Sequence, residues 1–426
     1  MFSTLKRRLL CLALTAFIAF LWSATFLFNL FLPDLTWHKR QHSGPAMEVE
    51  QPDISSFRDG ALIISHQPLF TTKGYELDND RVIQHFNPPL ERLPALMPKL
   101  LNARIIAREQ LEQGIESRYQ QLSYRPQRES LNVPLTTIMR LNKAGQMESS
   151  AFWLGNITSI TCTLDGHCYL MAQEPFAYTQ SVWFTEDGGI NWQPLTQWQF
   201  PQSDSDALPG RQRLVSATDT KIWLASHNTL FMSEDRGSHW AIAADIRPLL
   251  KRHHIRQREE EGDHARLSAL HWYVDSRQQI FADVSVLLAD GIEQKRFLYH
   301  LLSAQQEQIV STDFDNITCS PQGTIFFSSR ISHTRFALYQ LSENGVPIQR
   351  LEHIDRLGKI SAGRKLLALE KGHGDGAHLF LSRDGGENWQ RYQAIGKNTV
   401  FDGWGDRFIR FPQYSRSLEY QIGTIE

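Results

Sequence analysis

The sequence predicts an all-β fold, a six- or seven-bladed β-propeller, preceded by an N-terminal transmembrane helix and an amphipathic helix. Three observations predict the propeller. A hairpin motif occurs three times, the copies are separated by about one or three blade lengths, and short β-rich runs alternate with Asp, Gly, Asn and Ser turns. A chain of 426 residues with 41% apolar residues can bury a core of this size.

The N-terminal region contains an apolar segment, from Leu9 to Leu32, that carries no charged residue. A helix of this length crosses a hydrocarbon core of roughly 30 Å, whereas a cleaved signal peptide has a shorter apolar region of about 7–15 residues. Basic residues before the segment favour a cytoplasmic N-terminus. We expect residues 1–8 to be cytoplasmic, residues 9–32 to be a signal anchor in the inner (plasma) membrane, and the rest to be periplasmic or otherwise extracytoplasmic.

Three further regions follow the apolar segment. Residues 33–54 are polar and are predicted to be a juxtamembrane linker. Residues 55–134 are predicted to contain short strands and an amphipathic helix over 91–122, where apolar residues recur at helical spacing. The propeller is predicted over 135–426, and a charged excursion at 249–264 within it is either a short helix or a loop.

A repeated frame, Ser/Thr-x-Asp-x-Gly-x-x-Trp, identifies the hairpins. The frame residues are Thr185, Asp187, Gly189 and Trp192 in the first copy, Ser233, Asp235, Gly237 and Trp240 in the second, and Ser382, Asp384, Gly386 and Trp389 in the third. The hydroxyl and carboxylate can bond turn backbone groups, glycine permits a positive φ, and the Trp ring can cover the turn. This arrangement predicts a structural role for the aspartates.

The spacing of the copies predicts the number of blades. The second copy follows the first by 48 residues and the third follows the second by 149, so two blades without the motif are expected between them, over 268–303 and 316–345. A partial blade at 399–422 lacks an outer strand. We expect an N-terminal strand, either residues 135–141 or residues 61–67, to complete it and close the ring.

The cysteines favour an oxidising compartment. Cys162 and Cys168 flank an Asp-Gly turn, and facing sulfurs of a tight hairpin can form a disulfide, although two unpaired buried thiols are the alternative. Cys319 is interpreted as a small core residue.

Composition and motifs exclude several functions. The 44 basic and 46 acidic residues nearly cancel, so no nucleic-acid partner is expected. The histidines His253, His254 and His264 lack a recurring ligand spacing, so no metal is predicted, and no cofactor motif is present. We assign no catalytic residue.

The three frames make the region from about 160 to 422 resemble the Asp-box (BNR-repeat) superfamily of propellers, which includes sialidases, sortilin-type receptors and photosystem assembly factors. The resemblance implies the fold and does not fix the function, because the box is a structural turn throughout these families. A non-catalytic bacterial membrane-anchored member is expected.

The enzymatic alternative is a sialidase-like glycoside hydrolase that acts on a sugar bearing a carboxylate. The family pattern implies an arginine triad and a tyrosine nucleophile, because the guanidinium group binds a carboxylate bidentately. Arg92, Arg407 and Tyr414 are the candidate substrate-binding residues of this alternative, with Arg410 and Arg416 nearby. Arg92 also fits the first turn of the predicted helix.

The favoured function is binding of a protein or glycan partner in the extracytoplasmic space, as an assembly factor, a receptor or a protein that neutralises an effector. Aromatic side chains often anchor such partners, and Trp198, Trp272 and Trp404 are the candidates, with core packing as the alternative for each.

Overall fold

The computed structural model describes residues 35–41, 52–70, 77–78, 81–82, 101, 133–173, 180–201, 212–255, 266–275, 277–288, 294–303, 306–312, 314–332, 335–342, 344–355, 357–371, 378–393, 399–411 and 419–424. These residues form seven four-stranded antiparallel sheets and one two-stranded hairpin. The predicted helices at 9–32 and 91–122 lie outside the described residues, apart from Leu101. Within the described part of the chain, no helix is long and apolar enough to cross a membrane.

The seven sheets are the blades of a propeller, and the first strand of each blade is the innermost. Blade 1 contains β2 (Asp53–Phe57), β3 (Gly60–Phe70), β6 (Val133–Asn142) and β7 (Met147–Leu154). Blade 2 contains β8 (Ile157–Cys162), β9 (Cys168–Gln173), β10 (Gln180–Thr185) and β11 (Gln193–Pro194). Blade 3 contains β12 (Gln212–Ala217), β13 (Ile222–Ser226), β14 (Thr229–Ser233) and β15 (Ala241–Asp245).

The remaining blades repeat this order. Blade 4 contains β16 (Arg266–Val274), β17 (Ile280–Leu287), β18 (Gln294–Ser303) and β19 (Gln306–Thr312). Blade 5 contains β20 (Phe314–Cys319), β21 (Ile325–Ser332), β22 (Arg335–Leu341) and β23 (Pro347–Asp355). Blade 6 contains β24 (Leu357–Ala362), β25 (Leu367–Lys371), β26 (His378–Ser382) and β27 (Gln390–Tyr392). Blade 7 contains β28 (Thr399–Asp402), β29 (Arg407–Arg410), β30 (Glu419–Thr424) and β1 (Thr36–Gln41).

The middle strands of blades 2 and 3 are more buried than their outermost strands. The second strand of blade 2 reads CYLMAQ and is buried along almost all its length, whereas the outermost strand of that blade is exposed. Seven apolar clusters each join two consecutive blades, and one of them joins blade 7 to blade 1. The ring is therefore closed, and the prediction of six or seven blades resolves to seven. Blades 4 and 5 confirm the two blades expected without the motif.

The strand that closes the ring is neither of the two predicted segments. Residues 61–67 and 135–141 pair with each other inside blade 1, and β1 is the strand that pairs with β30, from Thr36 opposite Thr424 to Gln41 opposite Glu419. The predicted boundary at 135 is therefore too late, and the predicted linker over 33–54 contains β1. The sequence of β1, TWHKRQ, resembles a linker because the side chains of an outermost strand are largely exposed to water.

Two minor elements complete the described part of the fold. The hairpin of β4 (Leu77–Asp78) and β5 (Arg81–Val82) lies in the long connection between β3 and β6. One helix, α1 (Arg247–Arg252), begins the charged excursion, and its residues Leu249 and Leu250 are buried in the cluster between blades 3 and 4. The charged excursion therefore includes a short helix.

All innermost strands run towards one face of the ring, which we call the hairpin face. It carries the turns between the first and second strands of every blade and, in blades 1 to 6, the turns between the third and fourth strands. Backbone hydrogen bonds connect these turns: Arg58 N donates to Leu164 O at 2.9 Å and Gly188 N donates to Gly166 O at 3.0 Å. The connections between the second and third strands lie on the opposite face.

Candidate functional site

The three motif copies form the turns between the third and fourth strands of blades 2, 3 and 6, and we call them the repeated hairpins. In the first, the Thr185 hydroxyl donates to Asp187 Oδ1 at 2.7 Å and accepts from Gly189 N at 3.0 Å. Ser233 and Ser382 make the same two bonds in their own copies. All three hydroxyl groups belong to buried residues, so each turn is fixed from within.

The carboxylates of the repeated hairpins are occupied by their own turns. Asp187 Oδ1 accepts from the backbone N–H groups of Ile190 and Asn191, each at 2.9 Å, and its Oδ2 accepts from the Asn191 side chain at 2.8 Å. Desolvation opposes ionisation of Asp187, but these bonds outweigh it and lower its pKa. In the second copy, bonds from the His239 backbone and side chain lower the pKa of Asp235 to about 2. The carboxylates therefore act as structural acceptors.

Glycine and tryptophan complete the repeated hairpins. Gly237 has a φ of 88°, and an added Cβ would lie 2.3 Å from the Trp198 ring, so only glycine fits there. The Trp240 indole donates to Gln199 O at 2.6 Å, and its ring packs edge-on against Trp198 at 5.0 Å between centroids. Trp198 therefore covers the second hairpin.

Cys162 and Cys168 form a disulfide between β8 and β9, which confirms the predicted pairing. The two residues face each other across the strand pair, and Thr163 N donates to His167 O at 2.8 Å to close the turn. The covalent link therefore ties the two inner strands of blade 2 at the hairpin face.

A cavity of about 530 Å³ occupies the hairpin end of the central channel, and we call it the axial cavity. All seven innermost strands, or the turns that follow them, contribute to its wall. The charged or polar lining includes Asp53, Asp219, Asp275, Ser320 and Lys359. A volume of this size suits a small ligand or the tip of a peptide or glycan chain.

The charged groups of the axial cavity have two different environments. Asp53, Asp219 and Lys359 are exposed and can meet a ligand. Asp275 is buried and accepts backbone bonds from Arg277 at 2.9 Å and Gln279 at 2.7 Å, so it shapes its turn. Desolvation raises the pKa of Asp275 despite these bonds. Asp53, Asp219 and Lys359 are not among the residues predicted from the sequence. The one feature that distinguishes them there is a position at or near an end of an innermost strand.

Cys319 is not a core residue, so the interpretation from the sequence is wrong. It ends β20 and lines the axial cavity, where its side chain is accessible to water. The surrounding protein desolvates the thiol and raises its pKa, and the charge of Asp275 adds to the rise. A thiol with a raised pKa is a weak nucleophile at neutral pH, so we assign it no reaction.

Arg407 is part of the contact between blades 7 and 1. Its Nε donates to Asp402 Oδ2 at 2.8 Å, and its two terminal nitrogens donate to Lys143 O at 3.1 Å and Asn142 O at 3.0 Å. Both Arg407 and Asp402 are buried. The guanidinium group is therefore occupied by protein acceptors, and Arg407 is not placed to bind a substrate carboxylate.

Of the other candidates for a sialidase site, only Arg410 is among the described residues. Arg92, Tyr414 and Arg416 lie outside the described residues. Arg410 donates from Nε to Gln421 Oε1 at 2.9 Å and lies 3.9 Å from the centre of the Trp37 ring, so it fastens the closing strand. Of the aromatic candidates, Trp272 is buried in the core and Trp404 lines the axial cavity.

Of the histidines of the charged excursion, His253 and His254 are among the described residues. His253 follows α1 and has its Nε2 3.9 Å from Glu307 Oε1, beside the Arg252–Glu307 ion pair of 2.7 Å. His264 lies outside the described residues. No group of three or more His, Cys, Asp or Glu side chains among the described residues could hold a metal ion.

Comparisons with known proteins give no family. No family profile matches the sequence, and no curated protein matches it significantly. Among solved structures, the GH74 xyloglucanase from Xanthomonas campestris is 15% identical, with a TM-score of 0.41 over 67% of this chain and 50% of that chain. This chain thus spans about half the length of that enzyme.

Two further solved structures are similar at the same low level. An oligogalacturonate lyase in complex with manganese is 8% identical, with a TM-score of 0.43 over 89% of this chain and 98% of that chain. The Hadza microbial sialidase Hz136 is 12% identical, with a TM-score of 0.34 over 69% of this chain and 74% of that chain. These values carry no functional argument, and the fold rests on the seven sheets themselves.

Proposed function

We propose that this chain is a membrane-tethered, extracytoplasmic propeller that binds a protein or glycan partner at its axial cavity without catalysing a reaction. The observation that carries the proposal is the axial cavity, to which every blade contributes and whose exposed charges, Asp53, Asp219 and Lys359, are available to a ligand. Polar groups that converge on a concave site are typical of ligand recognition.

The most conspicuous polar residues support binding over catalysis. The carboxylates of the repeated hairpins accept bonds from their own turns, and Arg407 is occupied by Asp402 and two carbonyl groups. On this basis we also propose that the repeated hairpins are Asp boxes of the BNR type, which have a structural role. The sialidase-like alternative loses one of its three nominated residues.

Two observations support the extracytoplasmic location. The Cys162–Cys168 disulfide suits an oxidising compartment. The apolar segment 9–32 has the length and composition of a membrane-spanning helix. A chain with both features fits a signal anchor in the inner (plasma) membrane that holds the propeller on the outer side.

Photo-crosslinking in intact membranes tests the binding site. We would introduce benzoylphenylalanine at Asp219 or Lys359 in the axial cavity, and at Ile309, an exposed residue of an outermost strand, as the control. We expect a discrete adduct from the two cavity positions and none from position 309. An adduct from position 309 alone would place the partner on the blade edges and contradict the proposal.

A turnover assay tests the absence of catalysis. Purified protein is expected to release no product from a fluorogenic sialoside beyond the buffer rate. Steady release that the Arg92→Ala variant abolishes would establish the glycosidase alternative instead.

A further inference from the structure

The point at which the N-terminal chain joins the ring is on the hairpin face. Thr36 pairs with Thr424, and Trp37 pairs with Gly423, which in turn pairs with Phe408 directly after the turn of blade 7. Leu35 is buried in the cluster between blades 6 and 7. The chain therefore enters blade 7 at the rim of the hairpin face, and β1 then runs towards the opposite face.

The connection from the apolar segment to this point is very short. Leu32 ends the segment and Leu35 is already in the core, so three Cα steps separate them. At 3.8 Å for each step they span at most about 11 Å. The far end of β1 lies roughly 20 Å further away, because a strand of six residues rises about 3.3 Å per residue.

Exposed apolar side chains occur in the turns of the same face. The described residues include seven exposed large apolar side chains, and three of them, Leu164, Ile190 and Val346, lie in turns of the hairpin face. Three others lie on outermost strands, and Ile331 lies near the opposite face at the end of β21. Turn tips with isolated apolar side chains can enter the interfacial layer of a bilayer.

One ion pair lies beside each of two of these turn tips. Arg58 lies 3.2 Å from Asp165, next to Leu164, and Arg236 lies 3.4 Å from Glu186, in the hairpin of Ile190. Paired charges of opposite sign present little net charge to lipid headgroups. These two turn tips can therefore approach a bilayer without requiring anionic lipids.

We propose that the hairpin face is turned towards the membrane, with Leu164, Ile190 and Val346 in contact with the lipid surface. The inference rests on the proposed membrane tether and adds the orientation of the ring. The axial cavity then opens towards the bilayer, and its occupant is a membrane-attached molecule. The opposite face is turned towards the extracytoplasmic solution.

Fluorescence quenching in vesicles tests the orientation. The full chain, with Cys11→Ser and Cys319→Ser, receives one cysteine for bimane labelling, as Ile190→Cys, Val346→Cys or Ile331→Cys, and is reconstituted in phosphatidylcholine vesicles. The three positions are matched because the original side chains are exposed to 54%, 54% and 50%. Nitroxide headgroup lipids are expected to quench bimane at positions 190 and 346 and to leave position 331 unchanged.

Flotation of the same samples separates the two proposals. A chain that does not float with vesicles contradicts the membrane tether and the orientation with it. A chain that floats but shows equal quenching at all three positions, or stronger quenching at position 331, leaves the tether intact and overturns the orientation.

Discussion

The repeated hairpins and the contact between blades 7 and 1 hold the ring in two different ways. In a repeated hairpin, the hydroxyl, carboxylate and glycine that bond together lie within seven residues, as from Thr185 to Asn191. At the contact between the blades, which we call the seam, Arg407 binds carbonyl groups 264 and 265 residues away, and the Tyr420 hydroxyl binds Gly145 O at 2.8 Å.

The difference between the two regions indicates which of them contributes more to the stability of the ring. The repeated hairpins are partly exposed turns, whereas the seam buries an ion pair and a tyrosine hydroxyl. Loss of a partner costs more in a buried site than at the surface. We therefore expect the seam, which no motif marks, to stabilise the ring more than any one hairpin.

The largest effect is expected from Arg407→Ala. It leaves the Asp402 carboxylate buried without its cation, which typically costs about 3–5 kcal/mol of unfolding free energy. Urea unfolding followed by tryptophan fluorescence measures the loss. The Arg407→Ala/Asp402→Ala double variant should recover part of it, and wild-type stability in the single variant would contradict the structural role of Arg407.

A smaller loss is expected from Tyr420→Phe. The hydroxyl group donates to Gly145 O and accepts from Met147 N at 2.9 Å, so its removal leaves two buried backbone groups without a partner. We expect a loss of about 2 kcal/mol. The same unfolding curves measure it, and an unchanged midpoint would show that these two hydrogen bonds do not stabilise the seam.

Two hydroxyl groups in turns of the hairpin face are expected to contribute differently to stability. Thr185→Val removes a buried hydroxyl group that donates to Asp187 Oδ1 and accepts from Gly189 N. The loss should lower the free energy of unfolding by about 1–2 kcal/mol. The matched control is Ser342→Ala in blade 5, where the hydroxyl only accepts from Val346 N at 2.9 Å in an exposed turn, and about 0.5 kcal/mol is expected. Thermal melts of both variants should rank them in this order, and the reverse order would contradict the account of the motif.

The smallest effect is the pH dependence of the repeated hairpins. The pKa values of Asp187, Asp235 and Asp384 are lowered in the folded chain, that of Asp235 to about 2, from an unfolded value of about 3.9. Their contribution to the free energy of unfolding is therefore complete above the unfolded pKa and disappears as the pH falls from about 4 to about 2. The Asp→Asn triple variant should flatten the curve of unfolding free energy in that window.

A steep curve that persists in the Asn variant would assign the acid sensitivity to other carboxylates. Measurements at low and high salt provide the control, because hydrogen bonds within one turn respond less to screening than exposed ion pairs do.

Local chemistry explains what the sequence could predict. The repeated frames identify their own turns, and the distance from Ser233 to Ser382 predicts two blades that the structure contains. The Cys162–Cys168 hairpin is equally local. Each of these features places all its interacting residues within a few positions, so the pattern and the contact coincide.

Long-range pairing explains what the sequence could not predict. β1 resembles a linker because its exposed side chains are polar, and only its register with β30 distinguishes it from one. Arg407 resembles a substrate ligand in the sequence because two of its three acceptors, the carbonyl groups of Asn142 and Lys143, lie far away in the chain. The exposed charges of the axial cavity come from separate blades, and the closed ring alone brings them together.

The most direct test of the central claim is the accessibility of the hairpin face in intact membranes. In the full chain with Cys11→Ser and Cys319→Ser, Leu164→Cys and Ile331→Cys are treated with a bulky, membrane-impermeant maleimide before and after detergent solubilisation. The account predicts rapid labelling at position 331 in membranes and labelling at position 164 only after detergent. Equal labelling of both positions in intact membranes would contradict a propeller whose axial cavity faces the bilayer.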